Sequence, residues 1–266
     1  MKSTLPPGLT RDEYSINGVD TVVYSGGKGP PVVYFHGGGT FHGFEFTRDW
    51  TRQFRVILPY HPGFGESGNA PLFKSMGDYV HHYAALFEVL GLDSFAMVGA
   101  SLGGWLAVEF AAVHNDRVER LVLSSPAGIF MPEHPIPDFA ALSPPELASY
   151  MITDISVLEP YLPGTEEENA RFTADRKREG KSTAQIFQAG MAGPPVDQTV
   201  TRVTMPVLLL WGKQDRVVHV DLAQKWLELL PDGRLELIED VGHLILDESQ
   251  HACEIAAAFL AGVGPR

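Results

Sequence analysis

The 266-residue chain has a single cysteine, Cys253. No disulfide can close within it, and no zinc site can rest on paired cysteines. Cys253 lies in the alanine-rich stretch 252–258, where it reads as a small core residue. Positive charge is scarce: 20 Lys and Arg stand against 33 Asp and Glu, a net charge of −13. Nucleic acids and anionic membranes are met by basic surfaces, so neither is an expected partner; the motifs below make a small-molecule substrate the expected one. Residues 1–14 hold prolines and charges but no apolar stretch, which makes the cytoplasm the default expectation. The longest apolar run, 95–113, is interrupted by Gly99, Ser101, Gly103, Gly104 and Glu109. Disorder is excluded as well, because 44% of residues are apolar and only 20% charged.

What is present is an alternation. Asn17-Gly18 predicts a tight hairpin turn between 13–16 and 21–24. Short, continuous apolar runs at 31–36, 54–59, 95–99, 121–125, 207–211 and 235–238 suit strands buried on both faces. Helical patterns separate them at 78–90, 102–113, 221–230 and 249–261. The implied fold class is α/β, a mostly parallel central sheet flanked by helices. The alternation stops over 126–200, where ten of the 20 prolines fall and no strand run appears. Thr165 and Glu168 form a capping-box pattern there, predicting a solvent-facing helix over 165–178, and Ile186, Phe187 and Met191 continue a helical face. The expected organisation is a core from 1–128 and 201–266, with a helical cap, 129–200, inserted between.

The chemistry concentrates at strand ends. Gly99-Ala-Ser101-Leu-Gly103 joins an apolar strand to a helix, the context a nucleophile elbow requires. The helix N-terminus favours negative charge developing beside the serine. His36-Gly-Gly-Gly39 follows another strand, and its glycines let backbone amides approach a substrate oxygen. Gly38, with Gly39 as second choice, and Leu102 are the expected oxyanion donors. A serine hydroxyl needs a positioned base. Of ten histidines, His243 is favoured, because it follows the run 235–238 at a strand's carboxyl end. His219 is the weaker alternative. Asp215, after the run 207–211, is the expected orienting carboxylate, with Asp240 as competitor. Gly39, Phe41, Phe64, Trp105, Tyr150 and Phe187 are expected to line an apolar substrate pocket. Phe44, Phe130, Met131, Phe139, Met151 and Met191 are further candidates.

These motifs carry a resemblance. His36-Gly-Gly-Gly, His61-Pro-Gly-Phe-Gly-Glu-Ser67, Gly99-Ala-Ser-Leu-Gly-Gly, Trp211-Gly-Lys-Gln-Asp215 and Val241-Gly-His243 occur in that order along almost the whole chain. The chain resembles the α/β-hydrolase superfamily, in its serine-nucleophile branch with a helical cap. The resemblance implies a Ser–Asp–His triad and acyl transfer. Tyr60 and His61 depart from the aspartate and the leucine or arginine common in relatives. His61 then either touches substrate or stabilises its loop, and the second reading is favoured. Serine at the elbow excludes the alkyl-enzyme chemistry of carboxylate-bearing relatives. No metal or other cofactor is expected, since amide donors supply the electrophile. The expected activity is hydrolysis of small, rather apolar carboxylic esters. A carbon–carbon bond hydrolase or lactonase is the alternative, and a small-molecule receptor a third, which turnover would distinguish.

Overall fold

Asn17 and Gly18 both take positive φ, 50° and 78°, and fold β1 (Thr10–Ile16) back on β2 (Val19–Gly26). The computed structural model describes residues 5–135, 137, 142 and 144–263. Each apolar run becomes a strand: β3 (Pro31–Phe35), β4 (Arg55–Pro59), β5 (Phe95–Ala100), β6 (Val118–Ser124), β7 (Val207–Gly212) and β8 (Gly233–Ile238). The eight strands form one sheet in the order β1-β2-β4-β3-β5-β6-β7-β8. β2 pairs antiparallel with β1 and β4, and every other pair is parallel. All six residues of β7 are buried, as expected of a strand covered on both faces.

The covering helices follow from caps and periodicity. α1 (Met76–Val89) starts at a capping box made by Ser75 and Asp78. α2 (Leu102–Val113) is almost wholly apolar, and ten of its residues are buried. Both pack into the core on one sheet face, while Ala252, Cys253, Ala256 and Leu260 belong to the core on the other.

Between β6 and β7 lie α3 (Pro144–Met151), α4 (Glu166–Met191) and α5 (Val196–Val200). The capping box of Thr165 and Glu168 opens α4, which then runs 26 residues without a break. The sequence suggested a shorter, solvent-facing helix. Gly180 lowers helix propensity by about 1 kcal/mol, and packing along one face outweighs that cost. α6 (Asp221–Leu229) precedes β8, and α7 (Ile245–Glu248) and α8 (Gln250–Leu260) close the chain.

A side chain on Gly103 would run into the carbonyl oxygens of Phe35 and His36. That close approach seats α2 against the end of β3. Gly103→Ala should therefore cost about 1–3 kcal/mol of stability through overpacking. Urea denaturation measures it, and an unchanged midpoint would contradict the tight seating.

Candidate active site

Ser101 is the residue between β5 and α2, and its backbone is forced to φ 52°, ψ −118°. Such a conformation costs a non-glycine residue about 1–3 kcal/mol and persists only where the surroundings impose it. Here the Ser101 N–H donates to the Ser124 carbonyl at 2.9 Å. The Ser101 carbonyl accepts from Gly104 (2.9 Å), Trp105 (3.2 Å) and Ala127 (2.9 Å). The glycine loop after β3 packs against this turn. A Cβ built on Gly37 would stand 3.3 Å from the Ser101 Cβ.

Asp215 lies in the turn after β7 and is buried. Its Oδ1 accepts from the Val217 and Val218 amides at 2.8 and 2.9 Å. Its Oδ2 meets His243 Nδ1 at 2.8 Å. The carboxylate calls for the proton on Nδ1 and leaves the Nε2 lone pair free. The His243 backbone N–H donates to the Met151 carbonyl at 2.8 Å, so the end of α3 positions this loop. Asp240 lies at an exposed turn with φ 53°, and the carboxylate that bonds the His243 ring is that of Asp215.

Ser101 and His243 line one cavity of about 940 Å³. Gly38, Gly39, Phe41, Leu102 and Phe187 line it too, as do Phe130 and Met151. Three expected pocket residues do not. Phe64 is fully buried in the core, edge-on to His36 at 5.1 Å, because a large apolar ring gains more there than at a wet rim. Trp105 is also buried and stands behind the wall. Its ring packs on Phe130 and Phe187, and its Nε1 donates to Glu109 at 3.2 Å. Tyr150 faces a neighbouring hollow with Arg216 and His219. His219, the weaker candidate base, lies in that hollow as well. Phe44 is buried in the core on one sheet face, Met131 packs against the core on the other, and Met191 is exposed. Phe139 lies outside the described residues.

Residues 31–250 match the family model described as serine aminopeptidase, S33. The chain belongs to this family. It is a serine hydrolase of the α/β-hydrolase superfamily. It is 28% identical to the 2-hydroxy-6-oxo-6-(2'-aminophenyl)hexa-2,4-dienoic acid hydrolase of Metapseudomonas resinovorans, over 94% of this chain and 89% of that protein. It is 26% identical to the carboxylesterase YbfK of Bacillus subtilis, over 91% of this chain and 84% of that one. The fold is similar to that of a bacterial membrane phospholipase A, with a TM-score of 0.78 at 23% identity, covering 96% and 86% of the two chains. Among the described residues, no helix is long and apolar enough to cross a membrane.

The hydrolase holds its glycine loop from α4, through a residue that the sequence reading missed. Glu179 is buried, and its carboxylate accepts from the Thr40 hydroxyl (2.5 Å), the Thr40 amide (3.1 Å) and the Gly65 amide (3.1 Å). Thr183, one turn on, donates to the Gly38 carbonyl at 3.1 Å. Phe172, Arg176, Glu179, Thr183 and Phe187 fall at helical spacing, and that periodicity was the available signal.

The histidines around the loop sort by environment. Burial pushes His61 down to about 3 from 6.5 and drives His36 well below it. Both are therefore neutral. The His61 amide donates to His36 Nε2 at 2.9 Å, and His61 Nε2–H donates to the His36 carbonyl at 2.8 Å. The Tyr83 hydroxyl supplies the donor for His61 Nδ1. His61 is absent from the cavity wall and stabilises its loop. His42 behaves differently. Burial alone would lower its pKa, but the Asp247 charge and hydrogen bond, with Glu179 beyond, raise it.

Two predictions follow. Glu179→Ala strands the Thr40 and Gly65 donors and should cost about 1–3 kcal/mol. Urea denaturation reads this, and Glu179→Gln, which retains an acceptor, should lose less. The second concerns pH. His61 and His36, with His82 lowered by burial to about 4, stay neutral when folded but bind protons below 6.5 when unfolded. Proton uptake by the unfolded chain makes stability fall as pH drops from 6.5 toward about 4. His42, whose pKa is raised, acts in the opposite sense, stabilising most below 6.5, and one such group offsets only part of three. Urea midpoints should therefore decline between pH 7 and 4.5, whereas a level profile contradicts the neutral assignments.

Proposed function

We propose that the protein hydrolyses small, mostly apolar carboxylic esters through an acyl-enzyme on Ser101. The observation that carries this reading is the shared cavity of Ser101 and His243, with His243 Nδ1 bound to Asp215 at 2.8 Å. His243 Nε2 takes the Ser101 proton as Oγ adds to the ester carbonyl. The resulting oxyanion accepts from the Gly38 and Leu102 amides. The alcohol departs with the proton held by His243. Water, activated by the same imidazole, then attacks the acyl-enzyme and releases the acid. Asp215 accepts from two amides and from the imidazole N–H, which fixes the orientation of the ring. The segment 129–200 serves as the cap, closing the cavity with Phe130, Met151 and Phe187. That wall gives apolar acyl or alcohol groups a place to bind.

A second reading has its own observation. Arg176 on α4 faces the same cavity, and its guanidinium lies over the rings of Phe41 and Phe172. It makes no hydrogen bond or ion pair among the described residues. Burial lowers its pKa, and an arginine stays cationic nonetheless. A free guanidinium beside an apolar pocket suits a substrate with a carboxylate, such as the dienoic acids named for several relatives. In that reading the same three residues cleave a carbon–carbon bond next to a ketone.

One experiment separates the readings. Turnover of uncharged short-chain esters is compared with that of 2-hydroxy-6-oxo-dienoates, in the parent and in Ser101→Ala and Arg176→Ala. Ser101→Ala should lose at least about 10⁴-fold on whichever substrate is native, and Asp215→Asn about as much. Arg176→Ala should raise KM for the dienoate and leave the neutral ester unaffected. Full activity in Ser101→Ala would end both readings.

A further inference from the structure

A second set of ligand-type side chains joins the β6–β7 segment to the head of α6, outside the candidate active site. His134 closes a turn by donating its amide to the Met131 carbonyl at 3.0 Å. Its Nε2 lies 2.9 Å from Oδ2 of Asp221, the first residue of α6. His219 Nδ1 lies 3.4 Å from the same oxygen. The two imidazoles stack nearly parallel, with centroids 3.7 Å apart and planes inclined by 9°.

One ligand atom from each of the three residues falls within 4.8 Å of the others. Zinc bound tetrahedrally at about 2.0–2.2 Å holds its ligand atoms about 3.3–3.6 Å apart. The two edges at 2.9 and 3.4 Å already approach that spacing. The third edge, between the two imidazole nitrogens, is within 4.8 Å, and the rings must tilt out of their stack for both lone pairs to reach one ion. The two histidines are half-buried and Asp221 is exposed, so an ion can reach the site from solvent.

We propose that His134, His219 and Asp221 form a binding site for a borderline divalent transition metal, with zinc as the reference ion. Two imidazoles and a carboxylate select such ions over calcium and magnesium, which prefer all-oxygen shells. The ion would pin the 131–134 turn to α6. Pro137 and Val217 line both the hollow beside this site and the large cavity. The Val217 amide also holds Asp215. Metal occupancy would therefore stiffen the cavity wall next to the Asp215 loop.

The inference is independent of which substrate is cleaved, and its readout is metal binding. Full-length protein is stripped with a chelator, dialysed, and titrated with Zn²⁺ by equilibrium dialysis and with Co²⁺ by visible absorption. About one zinc per chain should bind and raise the melting temperature. His134→Gln, His219→Gln and Asp221→Asn should each weaken binding by about tenfold or more. Glutamine and asparagine keep side-chain size, and matched metal-free melting temperatures verify folding. Ser101→Ala should titrate like the parent, even if the hydrolase reading is wrong. Absence of saturable binding, or a stoichiometric site that survives all three substitutions, overturns the proposal.

Discussion

The peptide of Ser101 is gripped from both sides. Its N–H is tied to the neighbouring strand, and its carbonyl receives three amides from α2 and the loop after β6. Those bonds compensate a backbone conformation that an L-residue avoids. They also explain why the sheet matters to the site. β5 and β6 must be adjacent and parallel for the Ser124 carbonyl to stand opposite the turn. Gly103 must be bare for α2 to start where it does. Asp215 is likewise held by backbone, through two amides, and it in turn holds the His243 ring.

The other organising contact links the β6–β7 segment to the core. A buried carboxylate is unfavourable unless its lone pairs are filled, and Glu179 has three donors. All three come from loops that follow β3 and β4. Arg178, one position earlier, donates to the carbonyls of Gly65 and Ser67, so α4 grips the same loop twice. The glycine-rich segment after β3 consequently takes its shape from α4 as much as from its own strand. Packing of this kind converts flexible glycines into a defined surface facing the cavity.

Much of this was legible in the sequence because the decisive signals were local. Strands covered on both faces read as unbroken apolar runs, Asn17-Gly18 encodes its turn, and five contiguous residues define the bend at Ser101. Asp215 and His243, which meet at 2.8 Å, each follow such a run. Glu179 was hidden for a physical reason. It sits among the charges of 166–181, a pattern that ordinarily faces water, and its partners are 139 and 114 residues away. Phe64, Trp105 and Tyr150 failed for a related reason. Position near the rim was readable, but side-chain direction depends on which volume packing leaves vacant. The unbroken length of α4 was obscured by Gly180, whose unfavourable propensity was a weaker force than the contacts along one face.

The carbonyl at the last residue of α3 receives the backbone amides of both His243 and Leu244. Any swing of that short helix away from the sheet would drag the imidazole loop with it and pull the ring off its carboxylate. A displacement of α3 would thus reach the His243–Asp215 contact directly through the backbone, although α3 supplies no side chain to that pair.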